Sequence, residues 1–109
     1  MLLLIASLAF TAGKAQDTKT DTFKVWGNCG MCKRTIEKAA KAEGVEKAEW
    51  NKETKVFILV YNPAVTSNEK IQKAIAAAGY DTEKFTGDDK AYEKLPGCCQ
   101  YERKKKDYQ

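Results

Sequence analysis

No histidine occurs anywhere in the chain, which removes the commonest general base and the commonest nitrogen ligand for zinc or Cu(II). Whatever chemistry exists must rest on sulfur, carboxylate, amine or phenol. A one-sided charge is missing too. The 19 Lys and Arg stand against 15 Asp and Glu, interspersed except near the C-terminus, and so small an excess gives no argument for nucleic acid. The apolar run over residues 2 to 12 falls short of the roughly 20 residues that a bilayer-spanning helix needs. No internal repeat is long enough for a second copy of any unit. The 109 residues, 43% of them hydrophobic, supply one domain with a modest core. That size argues against a large enzyme cleft, and the chain is read as a non-enzyme.

Residues 1 to 15 read as a secretory signal. The apolar run is followed by small residues, with Gly13 and Ala15 placed for cleavage before Gln16. Only the amino terminus supplies positive charge ahead of the run, and an uncleaved membrane anchor is the alternative. Cleavage would leave a periplasmic or secreted protein with no stable membrane insertion. Residues 16 to 21 are polar and read as a linker.

The folded unit is expected over residues 22 to 87. Residues 22 to 26 alternate as a strand does, with Phe23 and Val25 on one face and Lys24 and Trp26 on the other. Residues 31 to 42 place Cys32, Ile36, Ala39 and Ala40 on one helical stripe, and Gly44 follows as a stop. Strands over 45 to 50 and 55 to 61 form a hairpin around the polar turn 51 to 54. The second carries Val56, Ile58 and Val60 on one face and Phe57, Leu59 and Tyr61 on the other, so both faces call for cover. A second helix has Thr66 as N-cap, Glu69 closing a capping box, an Ile71, Ala74, Ile75, Ala78 stripe and Gly79 at its end. A last strand is expected over 81 to 86. This order gives an α+β fold, a ferredoxin-like βαββαβ sandwich with two helices on one face of a four-stranded antiparallel sheet.

The chemistry concentrates in Cys29-Gly30-Met31-Cys32, a C-x-x-C in the loop that opens the first helix. Free amides and the macrodipole at a helix start favour a nearby thiolate and lower its pKa, and Cys32, in the first turn, is the expected low-pKa thiol. Cys29 can bring its sulfur across from the loop. Such a low-coordinate thiolate pair suits Cu(I) best, with Hg(II) or, given further ligands, Zn(II) as alternatives. The spacing alone would equally serve a disulfide, a redox couple or half a zinc site.

The βαββαβ order with Gly27-x-Cys29-x-x-Cys32 between first strand and first helix resembles the heavy-metal-associated domain of copper chaperones, copper ATPase amino-terminal modules and the periplasmic mercury-binding protein of mercury-resistance systems. The resemblance covers residues 22 to 87. It implies that Cys29 and Cys32 ligate the metal and pass it to a partner that donates or accepts it, such as a P-type ATPase or related transporter. The stretch AIAAAGYDTEKF resembles the family's second helix and following loop, which would put Tyr80 beside the site. One departure stands out: the family commonly has methionine two residues before the first cysteine, where this chain has Gly27 and carries Met31 between the cysteines. Met31 reads as a packing residue near the site rather than a ligand.

Residues 88 to 109 form a basic tail containing Tyr92, Leu95 and the pair Cys98-Cys99. Tyr92 and Leu95 are expected to cover the sheet face of Phe57, Leu59 and Tyr61, taken to point away from the helices. The ten or so residues after Thr86 can cross a small domain, so Cys98 or Cys99 could add a third or fourth thiolate or a resolving disulfide. The run 103 to 106 reads as a solvated tail. Two rival functions remain. One is a thiol-disulfide oxidoreductase, although Trp26 is not adjacent to the first cysteine as a thioredoxin-like motif would have it. The other is a secreted interaction domain stapled by two disulfides.

Overall fold

Phe23 and Phe57 face each other across two antiparallel strands, their rings stacked with centroids 5.0 Å apart. These strands, β1 (Lys19–Lys24) and β3 (Val56–Tyr61), are joined by β2 (Val45–Trp50) in a sheet of order β1-β3-β2, every pair antiparallel. The computed structural model describes residues 17–104. The signal segment, its cleavage point and residues 105 and 106 of the basic run lie outside the described residues. Strand β1 begins at Lys19, inside the stretch read as linker.

Two helices cover one sheet face. Helix α1 (Gly30–Ala40) buries Cys32, Ile36 and Ala40, and α2 (Asn68–Ala77) buries Ile71, Gln72, Ile75 and Ala76. The helix caps differ slightly from expectation. Ser67 rather than Thr66 caps α2, its Oγ accepting from the Lys70 amide at 3.1 Å, which moves Glu69 out of capping-box register. The β2–β3 turn is held by Asn51, whose Oδ1 accepts from the amides of Glu53 and Thr54 at 2.8 and 2.9 Å. Helix α1 also closes an open sheet edge. Lys33 donates to the Trp50 carbonyl at 2.7 Å while Glu37 accepts from the Trp50 amide at 2.8 Å, satisfying backbone groups that an edge strand otherwise exposes.

The face assignment of β3 is the reverse of the expectation. Phe57, Leu59 and Tyr61 are buried beneath the helices with Phe23 and Trp50, while Val56 lies exposed on the opposite face and Ile58 and Val60 are half-buried there. Pairing decides this, since Phe57 stands opposite both Phe23 and Trp50, and these rings form one inward layer.

Among the described residues, segment 81 to 86 makes no fourth strand. It contributes a single antiparallel bridge, Thr82 to Val25. Side chains have taken the partners a strand would use: Glu83 accepts from the Lys24 amide at 2.9 Å, and Gln72 accepts from the Lys84 amide at 2.9 Å. Thr82 and Phe85 bond to each other, closing a turn.

The tail folds back onto the domain. Helix α3 (Asp89–Glu93) packs over Gly79, whose φ of +103° and whose missing Cβ, which would lie 2.9 Å from the Tyr92 amide nitrogen, both require glycine. A 3-10 turn, Gly97–Cys99, follows against α1. Tyr92 therefore packs edge-on to Tyr101, and both Tyr92 and Leu95 lie against the core beneath the helices and not on the outer sheet face. Tyr101 is buried, stacks on Tyr80 at 5.5 Å, donates to the Gly79 carbonyl at 2.7 Å and accepts from the Asp81 amide at 2.8 Å. Asp81, itself buried, accepts from Arg103 Nη2 at 2.7 Å and from the amides of Gly87 and Lys104 at 2.7 and 3.0 Å.

Burial opposes ionisation of Asp81, but hydrogen bonds from Arg103, Gly87 and Lys104 outweigh it and hold the carboxyl below the usual range. A lowered folded-state pKa contributes stability that is full above the unfolded value of about 3.9 and disappears as pH falls through the folded one. We expect Asp81→Asn to cost about 3 kcal/mol in urea unfolding near neutral pH, where half-buried Arg103 keeps only the exposed Asp89 as a charged partner. The gap between parent and variant should close as the acid limb is entered. A gap that stays constant down to pH 2 would show that the charge of Asp81 carries none of it.

Candidate metal centre

The thiols gather where α1 begins. Cys29 is the N-cap, with extended backbone at φ −136° and ψ −173°, and its carbonyl accepts from the Lys33 amide at 2.9 Å. Its sulfur occupies the place of a capping oxygen. The amides of Cys32 and Met31 face it and draw its pKa down to about 7. Helix position alone points to Cys32 as the lowered thiol, whereas the amides act on Cys29. Position N3 instead aims the Cys32 side chain into the core, where it is fully buried. The two sulfurs are 3.9 Å apart. Thiolates at about 2.3 Å from one ion are about 3.8 Å apart in tetrahedral and about 4.6 Å apart in linear coordination, so the pair is within a small opening of sharing a common ion.

The cysteine loop is fixed from three sides. The indole N–H of the buried Trp50 donates to the Val25 carbonyl at 2.9 Å, and the Trp26 amide donates to the Asp81 carbonyl at 3.0 Å. Lys55, at a positive φ of 68° in the hairpin, donates through Nζ to the Gly27 carbonyl at 2.7 Å. Nothing in the local sequence pattern marks Trp50, Lys55, Asp81 or Tyr101 for these roles, beyond the signal of an aromatic such as Tyr101 in an otherwise polar tail. Gly27 is explained by Trp50: a Cβ at position 27 would lie 2.9 Å from the Trp50 ring and 3.0 Å from Ile36. The indole fills the space into which a side chain there would point.

The tail cysteines reach this loop. The sulfurs of Cys29, Cys98 and Cys99 lie within 4.8 Å of one another. The Cys98 carbonyl accepts from Asn28 Nδ2 at 3.3 Å and from the Cys29 thiol at 3.7 Å. Cys98 is exposed, with its sulfur 3.8 Å from that of Met31. Met31 is 45% exposed, so it forms part of the rim and does not pack in the core as expected. Cys99 is buried, and burial together with contact to Cys32 pushes its thiol up to about 12. Tyr80 is fully buried next to Cys32 and Cys99. Its hydroxyl is fully buried with no hydrogen-bond partner and faces the sulfurs of Cys32 and Cys99. Burial and those thiols push its pKa upward.

Residues 22–81 match the model of the heavy-metal-associated domain. The chain belongs to that family. It is 40% identical over 85 residues to the mercuric transport protein periplasmic component of Pseudomonas aeruginosa, a match covering 73% of this chain and 93% of that protein. Among solved structures it is similar to oxidized MerP from Ralstonia metallidurans, at 39% identity and a TM-score of 0.57, over 62% of this chain and 96% of the other. It is also similar to the CopZ metallochaperone, at 29% identity and a TM-score of 0.56, over 59% and 98% of the two chains.

The thiols should separate by pH. We expect iodoacetamide mapping of the reduced, folded protein to show Cys29 alkylated half-maximally near pH 7 and Cys99 protected until well above that. Equal pH profiles at the two positions would refute the arrangement of amides and burial described here.

Proposed function

We propose that this protein is an exported carrier of a soft heavy-metal ion, held by the thiolates of Cys29 and Cys32 and handed to a thiolate-bearing membrane transporter. The observation that carries this reading is the pair of sulfurs 3.9 Å apart at the start of α1. There one thiol is already eased into its charged form and the other is sheltered by the core. Membership of a heavy-metal-associated family supports a carrier over a thiol-disulfide oxidoreductase, a disulfide-stapled interaction domain or any enzyme. The predicted signal segment and relatives named as periplasmic components support work in the periplasm.

For the cargo, Hg(II) is favoured over the Cu(I) that the thiolate pair alone called for. The support is the 40% identity to a mercuric transport component over nearly that protein's whole length. Cu(I) is the second reading, carried by likeness to a metallochaperone structure and by the softness of the same donors. Zn(II), a borderline ion that usually takes four ligands, is the least suited to the pair alone.

Anaerobic titration of reduced protein against glutathione checks both levels. One Hg(II) should be retained per chain, and one equivalent of Hg(II) should displace bound Cu(I). Cys29→Ser and Cys32→Ser should each weaken retention at least about 100-fold, since each breaks the helix-start pair that anchors the ion. Undiminished binding in Cys29→Ser would overturn the site, whereas displacement of Hg(II) by Cu(I) would reassign the cargo alone.

A further inference from the structure

The pair of thiols is not alone in its pocket, and the tail that brings the others is firmly held. Arg103 on Asp81, Tyr101 between the Asp81 amide and the Gly79 carbonyl, and the Tyr92 hydroxyl on the Tyr101 carbonyl at 2.8 Å fix the residues flanking Cys98 and Cys99. The four sulfurs form a graded series, from exposed Cys98 through half-buried Cys29 to buried Cys99 and Cys32. Cys29 and Cys99 belong to both ends of it. They lie within 4.8 Å of each other and of Cys98, and each also contacts Cys32.

A second observation comes from Tyr80. Its hydroxyl is buried without a well-formed hydrogen bond, which is costly, and its neighbours there are the thiols of Cys32 and Cys99. A neutral thiol is a poor acceptor. A metal-bound thiolate is a charged one, and hydrogen bonds to ionised groups are the stronger kind. The orphan donor thus marks the inner pair, Cys32 and Cys99, as the place where negative sulfur is to be accommodated.

Building on the carrier reading, we propose that the docked tail makes this a three-thiolate site, with Cys29, Cys32 and Cys99 as the resting ligands and Cys98 as the entry ligand at the solvent edge. An incoming divalent soft ion is taken first by Cys98 and Cys29, beside the thioether of Met31. It then moves inward as Cys99 and Cys32 replace Cys98. Each thiol that coordinates releases its proton, Cys98 takes one up again as it is displaced, and no electron changes hands. The resting complex of one M(II) and three thiolates carries a single negative charge, placed against the α1 amides and the Tyr80 hydroxyl. Three sulfurs hold the ion against small competing thiols more firmly than two. The exposed Cys98 keeps a route open for exchange.

Mercury X-ray absorption on the full-length reduced protein loaded with one Hg(II) reads the coordination directly. Three sulfurs are expected in the parent and in Cys98→Ser, and two in Cys99→Ser. Stopped-flow capture of Hg(II) from its glutathione complex should slow at least about tenfold in Cys98→Ser. Two sulfurs in the parent would overturn the three-thiolate site without needing any variant to fold. An unchanged capture rate in Cys98→Ser would overturn the entry role. Either result leaves the carrier reading intact if the double variant Cys29→Ser, Cys32→Ser loses Hg(II), whereas retention in that variant would sink the reading itself.

Discussion

The carboxylate of Asp81 is nearly removed from solvent, and its two oxygens take donors from the Gly87 amide, both Arg103 Nε and Nη2, and the Lys104 amide. Its own backbone amide meets Tyr101, and its carbonyl meets Trp26 at the mouth of the cysteine loop. One residue thus joins the end of β1, the turn after α2 and the returning tail. A buried carboxylate left short of donors is costly, so these segments must be placed together or not at all. The positions of the tail thiols follow from this requirement and not from any property of the cysteines.

The helix start imposes a second condition that agrees with the first. At the N-cap a side chain turns back toward free amides, and at N3 it lies on the face that α1 buries. Cys29 and Cys32 therefore share a helix end but not an environment. One thiol is tuned by backbone dipoles and the other by the packing around Ile36 and Tyr80. The tail adds the same contrast again, with Cys98 outside and Cys99 inside. Two adjacent residues in a 3-10 turn point in different directions, which is how a vicinal pair contributes to both ends of one sulfur series.

What could be read from the residues was what local pattern determines. The stripe of Cys32, Ile36 and Ala40 located α1, the alternation of β1 and the apolar run of β3 located the sheet, and the C-x-x-C at the helix start located the candidate site. The shift of the α2 cap from Thr66 to Ser67 arose because two neighbouring hydroxyls offer the same chemistry and only the register of Asn68 and Ile71 chooses between them. The misplaced face of β3 came from a strand apolar on both sides, where period two says which residues share a face but not which face the helices choose. The missing fourth strand has a different cause. Glu83 and Gln72 bond to backbone amides through their side chains, and sequence gives no sign that such substitutes will replace a ladder. The tail was legible only as reach. Its docking depends on Asp81 and Arg103, which are 22 residues apart.

Gly27 and Trp50 sit on different elements, yet the ring of one occupies the space a side chain on the other would need. A methionine at position 27, as the family pattern commonly has, would drive its Cβ into the indole. Losing Trp50 alone would leave a void beneath the loop and free the Val25 carbonyl. A side chain at 27 and a ring of this size at 50 are therefore alternatives for one volume, and the loop that carries the cysteines takes its height above the core from whichever fills it.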